Sequence, residues 1–356
     1  MPTQQGSEDM STSRRLPASY GLTQYRHLIR QRVVLLCILA ALLVLMGMVS
    51  LCVGSSALGL QEVFAALFEQ STVSSVIIWK LRLPRIVMAF LAGWGLALGG
   101  TVSQAILQNP LASPFTLGVA SGAGFGAVIG IVFSNGLSRE IVAASAFGFA
   151  LLTSLLIYGV ARLKSTSSET LILAGVAIMF LFSSLTSFVQ YTATIEEVHE
   201  MVFWFFGSLS KVGWPEISIA CLMIIPPIPL VMARAWDLNL LMTGDESASA
   251  LGVNVSTIRT GGIFLTALMT AGVICFTGVI GFIGLVAPHI ARMLIGSDHR
   301  FLIPASGFVG AILVVGADTL SRTIWPPQVI PIGIMTSFLG VPFFFYLLMK
   351  KARKYC

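Results

Sequence analysis

The sequence predicts an all-α, polytopic membrane protein with ten transmembrane helices and both termini on the cytoplasmic side. Composition is the first observation behind this class, since 56% of the 356 residues are hydrophobic and only 10% are charged. A soluble protein carries about a quarter charged residues, so this chain has too few polar groups to cover a water-facing surface. The second observation is a series of apolar segments, each close to the ~20 residues that cross the hydrocarbon core.

The apolar segments place the spans one by one along the chain. The first has a basic leader and an apolar stretch that are both too long for a signal peptide, so it is predicted as an uncleaved helix. Residues 1–32 then form a basic cytoplasmic tail, 33–350 one membrane domain and 351–356 a second cytoplasmic tail. The predicted spans are 33–53, 86–106, 115–134, 141–161, 170–192, 215–233, 258–277, 279–296, 302–321 and 331–349.

Lysine and arginine residues indicate the orientation of these spans. With both termini inside, fifteen of the 21 basic residues lie on the cytoplasmic side and six lie outside. Cytoplasmic loops of membrane proteins carry the excess of Lys and Arg, so this count favours an even number of spans. The basic residues predicted outside are Lys80, Arg82, Arg85, Arg139, Lys211 and Arg322.

Several function classes are disfavoured by what the sequence lacks. No lysine follows a glycine, so a G-x-x-x-x-G-K-[ST] phosphate-binding loop is excluded. Five scattered cysteines and four separated histidines show no metal-ligand spacing, which predicts neither a metal site nor a cofactor. No nucleophile–base pair or paired carboxylates indicate an enzyme. The net charge of +6 comes largely from the termini, which predicts contact with membrane lipid and not with nucleic acid.

An ion-coupled secondary transporter is the alternative from another class. Carriers of that kind keep carboxylates or histidines near mid-membrane to bind the coupling ion. Here the spans hold almost no ionisable residues, and Asp318 lies near the outer end of its span, one helical turn from Arg322. The sequence therefore favours a transporter whose energy comes from another subunit.

The segment 82–122 has the features of a wall that a transported molecule passes. It begins with two arginines, continues as a small-residue apolar stretch and breaks at a polar, proline-containing turn at 108–114. Glycines at helical repeat, such as Gly95 and Gly99, indicate helices whose backbones pack closely. A second glycine stripe comprises Gly118, Gly122, Gly126 and Gly130.

A polar cytoplasmic loop at 237–254 predicts a short helix between the sixth and seventh spans. An acidic pair after the first glycine complements the dipole at a helix N-terminus, and a second glycine is a typical stop. The helix is either a capped connection or a rigid element that docks into a cytoplasmic partner. The residues of this pattern are Gly244, Asp245, Glu246, Ala248, Leu251 and Gly252.

The stretch 244–253 resembles the coupling-helix motif of type II ABC importer permeases, the group that takes up iron siderophores, haem and vitamin B12. Further stretches resemble the same family in the same order, from about residue 33 to residue 350. The resemblance thus covers the membrane domain and leaves the N-terminal tail outside. The matching stretches are 81–85, 108–112, 117–123, 173–177, 204–209, 281–292, 297–300 and 331–333.

This resemblance implies a non-catalytic permease that works as a homodimer by alternating access. Two copies of a separate cytoplasmic ATPase would bind its coupling helices, and a periplasmic or lipid-anchored binding protein would deliver the cargo. Ferric siderophore is the cargo expected first, with haem and cobalamin as alternatives in the same family. The protein would lie in the cytoplasmic membrane of a bacterium or archaeon.

Three outer arginines are expected at the docking surface. Arg82, Arg85 and Arg322 match positions that meet acidic residues of the binding protein in this family. The alternative is that they reach lipid headgroups or pair locally, as Arg322 would with Asp318. Charge complementarity at such a surface mainly sets orientation and encounter rate.

A gate is expected at the cytoplasmic end of the path from two segments. Asn109 and Leu111 match the turn that narrows the path in the vitamin B12 permease, and a Ser/Thr cluster before the fifth span completes it there. Two added residues, Glu169 and Thr170, leave open which hydroxyls line the gate in this chain. The candidate hydroxyl-bearing residues are Thr166, Ser167 and Ser168.

Overall fold

The computed structural model describes residues 18–54, 59–68, 73–134, 138–164 and 166–352, and those ranges contain helices and turns but no strand. The predicted N-terminal tail is helical from Ala18 onward, and the rest of it lies outside the described residues. A π-helical stretch, Ile77–Arg82, joins the third helix to the fourth. The helices are α1 Ala18–Cys52, α2 Leu60–Phe68, α3 Val73–Val76, α4 Leu83–Ile106, α5 Val119–Ser134, α6 Arg139–Leu163, α7 Ser168–Thr192, α8 Ile195–Phe206, α9 Trp214–Ile224, α10 Pro227–Ala233, α11 Ala235–Leu241, α12 Asp245–Ala250, α13 Val255–Thr277, α14 Ile283–Ile295, α15 His299–Thr323 and α16 Ile332–Ala352.

Seven helical segments are long and apolar enough to cross a membrane. Three shorter apolar helices, α5, α14 and the 332–346 part of α16, complete a set that overlaps the ten predicted spans. The all-α, multi-pass class is therefore confirmed, whereas ten crossings stay a prediction because three of the helices are short. The seven long segments are Arg26–Cys52, Val73–Ile106, Arg139–Leu163, Ser168–Thr192, Trp214–Ala233, Val255–Thr277 and His299–Thr323.

Backbone conformation decides two helix boundaries. α5 begins at Val119 and not at 115, because residues 115–118 form turns and Gly118 has a φ of +71°. The seventh and eighth spans, almost continuous in sequence, are separate helices. Gly278, with φ +68°, follows the end of α13, and Phe282, with φ +66°, precedes α14. A left-handed residue cannot continue a right-handed helix, so each marks a break.

α4 is the central helix of the bundle and contacts α13, α14 and α15. Glycines allow this helix to be buried on nearly every side. A Cβ on Gly93 would overlap the carbonyl oxygen of Gly310 on α15, and a Cβ on Gly100 would overlap that of Gly284 on α14. Small residues are typical of membrane helix contacts, because apolar burial supplies little driving force there.

The second glycine stripe has the packing role predicted for it. Gly122, Gly126 and Gly130 face α6, where added Cβ atoms would overlap Thr153 and the backbone around Ser145. The stripe therefore allows close contact between α5 and α6.

The cytoplasmic end of α1 is attached to α15 through Asp298. Arg32 lies 3.3 Å from Asp298 Oδ2 and over the ring of Phe301, so a residue predicted in the tail belongs to the folded bundle. Burial alone would raise the pKa of Asp298, but hydrogen bonds from Arg300 and Asn239 outweigh it and lower the pKa to about 2.

Candidate functional site

The short helix predicted in the cytoplasmic loop is present as α12. Gly244 precedes it with φ +108° and Gly252 follows it with φ +87°, a region that side-chain-bearing residues rarely adopt. The Val253 amide donates back to the Ala248 carbonyl at 3.0 Å and closes the C-terminal end. The predicted start and stop of this helix are confirmed.

α12 turns one face into the protein and the other to solvent. Ala248 is fully buried, whereas Glu246 is exposed and Leu251 is 64% exposed. Gly252 is exposed as well. An exposed leucine beside a carboxylate on a rigid helix suits a docking surface for another protein.

Arg259 on α13 is 1% exposed and holds α12 from within. Its Nη1 and Nη2 donate to Asp245 Oδ2 and Oδ1 at 2.7 and 2.9 Å, a bidentate ion pair. Nε donates to the Ile106 carbonyl at 2.8 Å, Nη1 to the Thr166 carbonyl at 2.8 Å, and Nη2 to Ser168 Oγ at 2.7 Å. All five N–H donors of the guanidinium are thus used.

Gln108 joins the same arrangement from the turn at 108–114. Its Nε2 donates to Asp245 Oδ1 at 2.8 Å and to the Leu241 carbonyl at 2.7 Å. Its φ of +48° lies in the left-handed region, which is uncommon for a residue other than glycine. The Arg259 junction, as we call this group, comprises Ile106, Gln108, Thr166, Ser168, Asp245 and Arg259.

The two candidate gate segments adjoin the Arg259 junction. Asn109 Oδ1 accepts from the Leu111 amide at 2.9 Å, which fixes the turn and leaves Leu111 51% exposed. Ser167 caps α7 by accepting from the Thr170 amide at 3.3 Å. Ser168 and the Thr166 carbonyl belong to the junction. The hydroxyls of Ser167 and Ser168 therefore hold structure, a distinction that the sequence left open.

The three arginines predicted for docking lie together at the opposite end of the bundle. Arg82 and Arg322 are only 5% and 7% exposed. Arg82 donates to the Leu51 and Cys52 carbonyls, the latter at 3.2 Å, and Arg322 donates to the Val53 carbonyl at 3.3 Å. These oxygens are at the C-terminal end of α1, where helix carbonyls lack partners and positive charge is favourable.

Asp318 on α15 is the carboxylate of this outer cluster and is 1% exposed. Its Oδ1 accepts from Arg85 Nε at 2.7 Å, and its Oδ2 lies 3.1 Å from Arg322 Nε, an ion-pair distance without hydrogen-bond alignment. The local pair with Arg322 expected as an alternative is thus present. Direct contact of Arg82 and Arg322 with a binding protein stays a prediction, and it requires both groups to leave these partners.

Other basic residues of the predicted outer side are better exposed. Lys80, Arg139 and Lys211 are exposed to solvent. A cavity of about 950 Å³ at this end is lined by Arg139 and Lys211, and by Arg85 and Glu140. Positive charge at the outer surface therefore comes mainly from residues that the sequence did not single out.

Comparison with known proteins places this geometry in context. A Methanocaldococcus jannaschii protein assigned as an ABC transporter permease is 40% identical over 93% of this chain and 98% of its own length. The hemin transport system permease of Yersinia pestis is 37% identical over 85% of this chain and 93% of its own. A solved structure assigned as a metal-chelate type ABC transporter, in an inward-facing conformation, superposes with a TM-score of 0.81 at 34% identity, covering 89% of this chain and 99% of the other.

Further relatives are named for different cargoes. Permeases of 36%, 34% and 34% identity are named for Fe(3+)-citrate in Bacillus subtilis, molybdate in Haemophilus influenzae and vitamin B12 in Salmonella typhi. They cover 89%, 88% and 93% of this chain and 95%, 95% and 100% of their own length. A model of the FecCD transport family matches residues 42–350, and the chain therefore belongs to that family.

Proposed function

We propose that this ABC importer permease carries a ferric siderophore into the cell as a homodimer served by two ATPase subunits. α12 carries the proposal, because it offers Glu246 and Leu251 to solvent while Arg259 fixes it to the bundle. Relatives named for hemin and Fe(3+)-citrate, and a structure assigned to metal chelates, support an iron-bearing cargo.

Large apolar side chains on two helices support the homodimer. Phe180 and Phe188 of α7 are 64% and 67% exposed, and Phe338 and Phe345 of α16 are 68% and 61% exposed. A path between two copies would place the turn with Asn109 and Leu111 at its cytoplasmic end. ATP-driven closure of the ATPase dimer would then shift the balance between inward- and outward-facing packings.

Reconstitution in liposomes tests the proposed function. We expect no ATP hydrolysis by the purified permease, and hydrolysis stimulated by ferric siderophore once the ATPase and binding protein are present. Hemin and cobalamin are the comparison cargoes, and the complex without binding protein is the control. Stimulation by hemin or cobalamin alone would reassign the cargo. Uptake by the permease alone under an ion gradient would contradict the ABC mechanism.

Docking through Arg82 and Arg85 is tested by removing their charge. For Arg82→Gln with Arg85→Gln we expect affinity for the binding protein to fall about tenfold, and more at low salt, because electrostatic steering is lost. Affinity would be titrated on detergent-solubilised complex at two salt concentrations.

Two comparison variants make this docking test decisive. Lys164→Gln, on the predicted cytoplasmic side, should leave the affinity unchanged, and ATPase assembly should survive in every variant. If Lys80→Gln with Lys211→Gln weakens docking while Arg82→Gln with Arg85→Gln does not, the exposed lysines form the docking surface instead.

A further inference from the structure

The Arg259 junction connects the segment offered to the ATPase with both candidate gate segments. Asp245 belongs to α12, Ile106 is the last residue of α4 before the turn at 108–114, and Thr166 and Ser168 form the segment before α7. One guanidinium therefore contacts all three segments. The proposed function assigns these segments separate roles but does not say how motion passes between them.

We propose that Arg259 is a positioning residue that transmits displacement of α12 to both gate segments. This inference rests on the proposed function, in which α12 meets the ATPase. The bidentate pair with Asp245 fixes the direction as well as the distance between α12 and α13, because the guanidinium is planar and its donors are rigid. A shift of α12 must therefore carry Arg259 with it or break the pair.

The burial of the two partners differs in the way that transmission requires. The Asp245 side chain is 41% exposed on the docking helix, whereas Arg259 is 1% exposed. Breaking the pair would leave a buried guanidinium without its carboxylate, which is strongly unfavourable. The pair thus links the surface to the interior, and it is more favourable for the gate segments to move with α12 than for the pair to separate.

Gln108 provides a second link between α12 and the gate turn. Its amide bridges Asp245 and the Leu241 carbonyl, the last residue of α11, while its backbone is left-handed. A non-glycine residue keeps this conformation only where surrounding contacts hold it. Displacement of α12 removes those contacts, so the turn that bears Asn109 and Leu111 is free to change conformation.

The first test compares cargo uptake with ATP hydrolysis in the reconstituted complex. We expect Arg259→Lys and Asp245→Asn to lower the cargo taken up per ATP by about tenfold while hydrolysis continues, because lysine cannot reproduce the five-donor arrangement. Arg234→Gln is the matched control. It removes a cytoplasmic arginine whose side chain is 59% exposed and whose partner is Asp237, outside the junction.

The second test measures motion at the gate directly. A spin label at Leu163→Cys, in a chain whose five native cysteines are replaced, lies at the end of α6 just before 166–168, where the side chain is 85% exposed. One label per subunit reports a distance across the dimer. We expect ATP to change this distance in the otherwise unaltered labelled chain and not in Asp245→Asn. A residue with only a structural role would leave the change intact.

Each outcome of these tests decides the inference. If Arg259→Lys does not fold, Asp245→Asn and Ser168→Ala remove single bonds of the junction and carry the test. If these variants assemble and keep normal uptake per ATP and a normal ATP-dependent distance change, the inference is wrong. Failure of the unaltered complex to link uptake to ATP would instead contradict the proposed function itself.

Discussion

Gly100→Ala is expected to prevent normal assembly of the helical bundle although it adds a single methyl group. The new Cβ would overlap the carbonyl oxygen and Cα of Gly284, which are backbone atoms of α14 and cannot rotate away. α4 and α14 would have to separate along their contact. We expect a loss of at least about 3 kcal/mol, the upper end of the usual overpacking cost. Yield of monodisperse protein and thermal unfolding in detergent would measure it.

Two other helix glycines provide matched controls for this prediction. Gly148 of α6 and Gly261 of α13 are exposed, and an added Cβ there meets no heavy atom of the described residues within 4 Å. Alanine at either position should be neutral or stabilise by about 0.5–1 kcal/mol, because glycine is a poor helix former. If Gly100→Ala unfolds at the temperature of the unaltered protein, α4 and α14 do not pack as described.

Asp318→Asn is expected to cause the second large loss of stability. It would leave Arg85 and Arg322 without the carboxylate that lies 2.7 and 3.1 Å from them, in a cluster that also holds Arg82. Removing one partner from a buried ion pair costs about 3–5 kcal/mol, since the remaining charge stays buried without compensation. Thermal unfolding of the purified variant would report the loss, and the loop after α1 should become accessible to protease.

Asp237→Asn is the matched control for the carboxylate. Its ion pair with Arg234 has side chains that are 59% and 29% exposed, and exposed pairs contribute at most about 1 kcal/mol. Comparable losses in the two variants would show that burial at Asp318 confers no special dependence, and the account of the outer cluster would then be wrong.

The outer cluster also explains an exception in the charge distribution. Arg82, Arg85 and Arg322 are half of the six basic residues predicted outside, against the trend for such residues to lie inside. The structure gives two of them carbonyl oxygens at the end of α1 and gives Arg85 the Asp318 carboxylate. Their position thus follows from local stabilisation, whatever part they take in docking.

The sequence predicted well those features that depend on composition or on neighbouring residues. The membrane class follows from hydrophobicity, and α12 follows from Gly244, Gly252 and the acidic pair between them. Helices α2, α8 and α11 were not predicted, because at 9, 12 and 7 residues they are too short for a search based on span length.

What the sequence determined by itself is a multi-pass helical protein with glycine stripes, a coupling helix and a proline-broken turn. Only the tertiary structure decided which charges meet. Arg259 lies 153 positions from Ile106, and Arg85 lies 233 positions from Asp318. Periodicity and capping act over a few residues, whereas a buried guanidinium is satisfied by whatever carbonyls and carboxylates the folded helices bring to it. The links between coupling helix and gate therefore had to be read from the packed bundle.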